Sequence, residues 1–464
     1  MKDLDATLAP VLDRIDADLD AALDRLSGLL RIPSISTDPA YAGACREAAD
    51  WLVADLAGIG FDAARHDTPG RPMVVAKGDD GPADAPHYLF YGHYDVQPVD
   101  PLELWTRDPF DPVVEDTGAG RVIRARGAAD DKGQLMTFVE ACRAWKAVHG
   151  SLPVRLTLFF EGEEESGSPS LVPFLETHAD TLRADLALIC DTGLFADRVP
   201  AIITQLRGML QEEIVVTGPD KDLHSGSYGG PARNPLRVLS RILASLHDAD
   251  GRVTVPGFYD GVPELPPEQK AAWDALDFDE AAFLGAVGLK HPAGERGRSV
   301  LEMLWSRPTA EINGVSGGYA GDGFKTVLPS EGRAKVSFRL VGTQNPLAIR
   351  ERFRAMVREM VPADCRVAFI GHGASPASVM DISGPEFEAA RRALSAEWGA
   401  EAAFTGAGGS IPVAGYFKSI LGMDSLLAGW GKDDDRIHSP DEKYDVESFH
   451  KGMRSWARVL AALA

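Results

Sequence analysis

Cysteine is scarce in this 464-residue chain: Cys45, Cys142, Cys190 and Cys365 lie far apart and form no CxxC pair. That argues against a disulfide framework and against a sulfur-rich metal site, and makes a reducing cytoplasm the expected compartment. Basic residues are also few. Lys and Arg number 47 against 69 Asp and Glu, a formal net charge of −22. Nucleic acid and anionic membrane are poor partners for such a surface; a cation or an amine-bearing substrate suits it. No apolar run approaches the ~20 residues of a membrane span. The opening stretch MKDLDATLAPVLDRIDADLDAALDRL is acidic and amphipathic, without the basic start and apolar centre of a signal peptide. Internal repeats and low-complexity tracts are absent.

What remains is an ordinary globular composition, 45% hydrophobic and 25% charged, in a chain long enough for two domains. Leu and Ile on one face predict a helix over 3–31, and a second helix is expected over 43–59. Short apolar strands then alternate with helices: PMVVAK (72–77), HYLFYGHYDV (87–96), helix 133–148, VRLTLFF (154–160), helix 169–178 and DLALICD (185–191). That alternation predicts an α/β domain with a mostly parallel sheet flanked by helices. Near residue 205 the pattern changes. GMLQEEIVVTG (208–218) and AKVSFRLVG (334–342) alternate as half-exposed strands do, with helices at 234–248 and 346–360 and a last strand at 365–373. A smaller α+β domain is therefore expected as an insertion. The earlier style returns with helix 384–397, the apolar SLLAGW and a helix over 446–462. The expected boundaries are 1–206 and 381–464 for the α/β domain and 207–380 for the insert.

In open α/β sheets functional residues gather at the carboxyl ends of strands. Four polar clusters follow predicted strand ends: GHYDVQP (92–98), RGAADDKG (126–133), EGEEESG (161–167) and CDTG (190–193); a fifth, DDDRIHSPDEK (433–443), follows SLLAGW. Each has a plain structural alternative. His93 and Asp95 share one strand face, as a buried pair or as a metal ligand and its orienting carboxylate. Asp130 and Asp131 precede a helix; capping accounts for one acid and leaves the other over. Glu164 and Glu165 are adjacent like charges, which repel unless one binds a cation while the other stays free as a base. Asp191 alone would be a turn residue and His438 alone a loop histidine. Together they are the inventory of a hard-to-borderline metal site without sulfur.

At these residues the sequence resembles the aminoacylase/carnosinase-type di-metal metallopeptidases (peptidase family M20), and most of all the cytosolic non-specific dipeptidases. The resemblance runs from about residue 25 to the C-terminus. It rests on GHYDVQP, DDKG, EGEEESG, KDLHSG (221–226), GDGFKTVLP (321–329), SFRLV (337–341), GGSIPV (408–413) and IHSPDEK (437–443), in that order. The resemblance implies two divalent ions per subunit, zinc first, with manganese or cobalt as alternatives. His93, Asp130 and Asp191 would hold one ion, and Asp130, Glu165 and His438 the other, with Asp130 bridging. Glu164 would be the general base, and Asp95 would orient His93. His224 would reach the partner's active site in a homodimer formed through the inserted lid and dimerisation domain. Thr326, Arg339 and Ser410 would hold the substrate's carboxylate or carbonyl groups. The implied reaction is hydrolysis of dipeptides or short peptides; the alternatives are N-acyl-amino-acid amide hydrolysis and, in another class, a metal-binding scaffold without turnover. Asp rather than Glu at position 191 goes with the dipeptidase and aminopeptidase branches. One departure concerns the pocket edge: the dipeptidase branch carries Arg-Glu ahead of its GGSIP turn, and this chain has Gly406-Ala407.

Overall fold

Strand His87–His93 is buried along nearly its whole length, as a strand covered on both faces must be. The computed structural model describes residues 2–78 and 81–464. In its larger unit, which comprises residues up to Thr204 with 380–405 and 416–464, this strand lies at the centre of the main sheet. The order is Asp62–His66, Met73–Gly78, Arg155–Glu161, His87–His93, Leu186–Ile189, Ser425–Leu427 and Ala201–Leu206. The four middle strands are parallel, and the flanking pairs are antiparallel. The expected α/β fold is therefore present with a sheet that is parallel where it matters for the site and mixed at its edges.

Phe90 points from this strand onto helix Lys132–His149 and stacks on Phe138 with ring centroids 3.7 Å apart. Trp456, from the last helix Val446–Ala462, meets both rings edge-on at 5.8 and 5.2 Å. On the other face Phe159 stacks on Phe174 of helix Leu171–Thr177 at 5.4 Å. Such aromatic contacts add to the area that the rings remove from water.

The expected N-terminal helix is two helices, Lys2–Ala17 and Leu19–Leu30. The chain turns at Asp18, whose carboxylate takes an ion pair from Arg14 at 2.5 Å, and both segments pack on helix Lys132–His149. A three-stranded sheet that the alternation did not suggest joins Val113–Thr117, Gly120–Arg124 and Lys443–Asp445. Its pairing of Lys443 with Arg124 brings the end of the 433–443 loop beside the stretch that leads to Asp130.

The second unit comprises 205–379 and 406–415. Its antiparallel sheet runs Thr309–Gly317, Glu331–Leu340, Gly208–Thr217, Arg366–Ser375. Burial alternates along Glu331–Leu340. Ala334, Val336, Phe338 and Leu340 form a core with Leu239 and Ile242 of helix Pro235–Ala244 and with Ile349, Phe353 and Val357 of helix Pro346–Met360. A short ribbon pairs Leu223–His224 with Val327–Leu328. Among the described residues no helix is long and apolar enough to cross a membrane.

Truncating the ring at the centre of the larger core tests this packing. Phe138→Ala should lower unfolding free energy by about 3–5 kcal/mol in urea denaturation, the usual cost of deleting a buried aromatic ring. A loss below ~1 kcal/mol would show that the Phe90–Phe138–Trp456 contacts are not central.

Candidate metal centre

Parallel strands that share a direction also share the edge at which they end. His93 closes one strand and pairs in register with Glu161, the last residue of the next. Strand Leu186–Ile189, on the other side of His93's strand, leads two residues later to Asp191. Fully buried Asp131 accepts a hydrogen bond from the His93 backbone N–H at 3.0 Å, which fixes the aspartate loop beside that strand end.

His93 is 1% exposed. Its Nδ1 faces Asp95, 3.2 Å from the carbonyl oxygen and 3.4 Å from Oδ1. That leaves Nε2 for Asp130 Oδ1 at 3.1 Å and Asp191 Oδ2 at 3.9 Å. The other oxygen of Asp130, Oδ2, lies 2.9 Å from His438 Nε2, which is also 3.3 Å from Glu165 Oε1. Two groups of ligand atoms result, each within 4.8 Å: His93 with Asp130 and Asp191, and Asp130 with Glu165 and His438. Asp130 belongs to both. The Asp130–Asp131 peptide is cis.

The charges agree with the geometry. Burial works against protonation of His93, but its hydrogen bonds to Asp130 and Asp95 outweigh burial and hold the imidazole well above its usual value. Burial likewise opposes ionisation of Asp130, yet the hydrogen bonds from His438 and His93 hold its carboxyl well below the usual range. Burial pushes Asp131 and Asp191 well above the carboxylate range. Glu164 is pushed up to about 8, by burial first and then by Asp95, Glu165 and Asp130, with His93 acting in the opposite sense. So many acids in one buried place are unfavourable unless protons or cations neutralise them. The donors are imidazole nitrogens and carboxylate oxygens. The neighbouring Cys190 turns away, toward Gln134 and Trp456. The set fits two hard-to-borderline divalent cations sharing one carboxylate.

The crowded EGEEE run resolves into four separate environments. Buried Glu161 accepts from Tyr91 Oη at 2.7 Å. Buried Glu163 accepts from the backbone of Arg71 and, at 2.8 Å, of Ser170, so it binds its own loop to a neighbour. Glu165 faces His438 and takes a hydrogen bond from Gln97 Nε2 at 2.7 Å. The Glu164 carboxylate has no hydrogen-bond partner among the described residues. Asp95 does more than orient His93: its two oxygens accept the backbone N–H groups of Glu164 and Glu165 at 3.2 and 3.0 Å.

Sequence reasoning passed over Glu442, four residues after His438 and wholly buried. One of its oxygens accepts from Ala129 N and Asp130 N at 2.9 and 3.2 Å. The other accepts from Arg126 Nη1 and Gly127 N at 2.7 and 3.1 Å. This one carboxylate ties the loop that carries His438 to the loop that carries Asp130. Gln97 and Glu163 were passed over as well, and Asp131 was weighed only together with Asp130, as one of two acids before a helix. His438 itself has φ +60°, between Arg436 at +58° and Asp441 at +60°. Left-handed conformations cost non-glycine residues ~1–3 kcal/mol each, so they need support from neighbours. Here it comes from Glu442 and from Asp441, which accepts from Thr106 N at 2.8 Å.

The remaining expected site residues lie in the second unit. His224 pairs with Val327 on the short ribbon and accepts from Gly226 N through Nδ1 at 3.0 Å, and its Nε2 has no hydrogen-bond partner among the described residues. Thr326 is exposed beside it, its carbonyl bonded to Ser225 N at 3.0 Å. Arg339 Nη1 lies 3.4 Å from Ser410 Oγ.

A model described as peptidase family M20/M25/M40 matches residues 89–462. The chain is 31% identical over 477 residues to the Cys-Gly metallodipeptidase of Schizosaccharomyces pombe, covering 99% of this chain and 98% of that protein. It is 30% identical over 402 residues to the human Beta-Ala-His dipeptidase, covering 85% and 78%. Among solved structures, a dipeptidase from Saccharomyces cerevisiae is similar at a TM-score of 0.82 and 28% identity, with 98% of each chain covered. An M20-family metallo-carboxypeptidase from Sulfolobus solfataricus is similar at 0.84 and 30% identity, with 95% and 99% covered. The chain belongs to peptidase family M20/M25/M40 and is a metal-dependent peptidase.

Removing one member of a buried charge pair leaves the other unpaired, at a cost of about 3–5 kcal/mol. Glu442→Ala should lose that much stability in urea denaturation and also release divalent metal more readily on dialysis. Stability and metal content both unchanged would remove Glu442 from this role.

Proposed function

We propose that this chain, as a member of that family, hydrolyses the peptide bond of dipeptides or short peptides that carry a free amine. Two divalent cations and Glu164 as general base would serve the reaction. Support comes above all from the Asp130 carboxylate, whose oxygens lie 3.1 Å from the imidazole of His93 and 2.9 Å from that of His438. His93, Asp130 and Asp191 would hold one cation; Asp130, Glu165 and His438 would hold the other. Zinc suits this mixture of imidazole and carboxylate, and manganese or cobalt would substitute. When bound, such cations lower the pKa of water and polarise a carbonyl.

Each residue then has a definite task. Asp95 fixes His93 through Nδ1 and keeps Nε2 directed at its ligand position. The same carboxylate holds the backbone of Glu164 and Glu165 by two hydrogen bonds, so one residue sets both the ligand and the base. Glu164, partly exposed and without a side-chain hydrogen-bond partner among the described residues, accepts the proton of the attacking water and delivers it to the leaving amine. Arg339 and Ser410 bind the substrate's terminal carboxylate, for which the guanidinium fork is suited, and Thr326 holds a carbonyl. His224 of the partner subunit donates to the developing oxyanion in a homodimer built through the 207–380 domain. The dipeptide preference follows the named relatives and the Asp at position 191. The expected compartment is the cytoplasm, in keeping with the scarcity of cysteine.

The direct test uses chelator-stripped protein supplied with zinc or manganese, given a free-amine dipeptide beside an N-acetyl amino acid. Metal-dependent cleavage of the dipeptide is expected. Cleavage of the acetylated compound alone would overturn the substrate assignment and leave the residue roles standing. In the same assay Glu164→Ala should keep its metal, measured by elemental analysis, while turnover falls ~100- to 10,000-fold. Normal turnover in that variant would remove Glu164 as the base.

A further inference from the structure

The turn that carries Ser410 is held by a residue that the resemblance does not assign. Arg207 donates its backbone N–H to Gly409 O at 3.2 Å and its Nε to Gly408 O at 2.9 Å. Its Nη1 reaches Met303 O at 3.3 Å. The strand that follows, Gly208–Thr217, pairs Met209 with Arg339. Residues directly paired across strands share a face, so the side chains of Met209 and Arg339 leave the sheet on one side, and Arg207 lies just before that strand. Arg339 in turn lies 3.4 Å from Ser410 Oγ. Two guanidinium groups thus flank one three-residue turn; among the described residues neither has an acid within ion-pair distance, and Glu311 acts on Arg207 only from farther off. Burial and then the neighbouring Arg339 push the Arg207 guanidinium down to about 10. The like charge of Arg339 outweighs the opposing one of Glu311 at Arg207, a repulsion that an arriving anion would relieve.

The backbone beside the turn leaves little freedom for this arrangement. A Cβ at Gly406 would lie 2.5 Å from Trp305 Cβ, and one at Gly408 would lie 3.1 Å from Arg207 Nη2. Gln205 Nε2 donates to Trp305 O at 3.1 Å on the same side. This chain therefore has a small residue, Gly406, flush against Trp305, and Arg207 is a guanidinium that contacts the turn.

We infer that Arg207 is a positioning residue for recognition of the substrate's terminal carboxylate: it holds the Gly408–Ser410 turn against Arg339 and adds a second positive charge beside it. The inference rests on the proposed dipeptidase reading and deepens it, because it makes a free C-terminal carboxylate the feature that this part of the protein selects. A merely structural tie would weaken hydrolysis of all substrates alike; a carboxylate-positioning tie would not.

The test compares a free-amine dipeptide with its C-terminal amide for the wild-type protein, Arg207→Ala and Arg207→Lys. The wild-type protein should favour the dipeptide in kcat/KM. Arg207→Ala should raise KM for the dipeptide by about 10- to 100-fold, the loss expected for hydrogen bonding to a charged group, and the dipeptide-to-amide ratio should collapse toward one. Arg207→Lys, which keeps the charge and loses the fork, should recover part of that ratio. Thermal midpoints of both variants check the fold. An unchanged ratio in Arg207→Ala, with both substrates weakened equally or not at all, would overturn the inference and leave the dipeptidase reading intact. A wild-type protein that cleaves dipeptide and amide equally well would overturn the carboxylate role of Arg339 and Ser410, and this inference with it.

Discussion

The whole site turns on one carboxylate shared by two histidines. Asp130 places one oxygen against His93 and the other against His438, residues that are 345 positions apart in the chain (438 − 93). Everything around it serves to keep that sharing in place. His93 is fixed by the end of a central parallel strand and by Asp95. His438 is fixed on a loop with three left-handed residues, and Glu442 binds that loop to the backbone on either side of Ala128 and to Asp130 itself. The price in buried charge is large, and cations are the means by which such a cluster becomes favourable.

The same constraint explains the division of labour among neighbouring acids. In EGEEE two glutamates, Glu161 and Glu163, bind protein groups, Glu165 faces His438, and the Glu164 carboxylate has no hydrogen-bond partner among the described residues. Gly162 separates the first two because a Cβ there would lie 2.2 Å from Tyr94 Oη. In the proposed roles Glu164, as a base, needs freedom and Glu165, as a ligand, needs restraint. Adjacent positions supply both because Asp95 holds their backbone while their side chains diverge in surroundings.

Much of this was legible in the sequence where function follows local pattern. The strand–helix alternation gave the α/β class, and the ordered motifs pointed to the family. Polar clusters after strand ends drew attention to His93, Asp130, Glu165, Asp191 and His438, which the structure brings into two overlapping groups. What local pattern could not reveal were groups that act through long-range backbone contacts. Glu442 reaches Gly127 across 315 positions and read only as part of an acidic loop. Asp130 and Asp131 read as a pair of which capping accounted for one, and the pattern gave no sign that an Asp131 oxygen accepts from His93 N. The three-stranded sheet that brings Lys443 beside Arg124 consists of short, partly exposed strands without clear alternation. The turn at Asp18 was hidden because both helices continue one apolar periodicity. Arg207 was overlooked because a lone arginine at a strand start carries no motif; its meaning lies in the turn at 408–410, some two hundred residues away.

The most direct measurement of the central claim is anomalous scattering from crystals of the protein loaded with manganese or zinc. The account predicts two peaks per chain on either side of the Asp130 carboxylate, one beside His93 and Asp191 and the other beside Glu165 and His438. A single peak at full metal loading, or a pair that does not share Asp130, would contradict it.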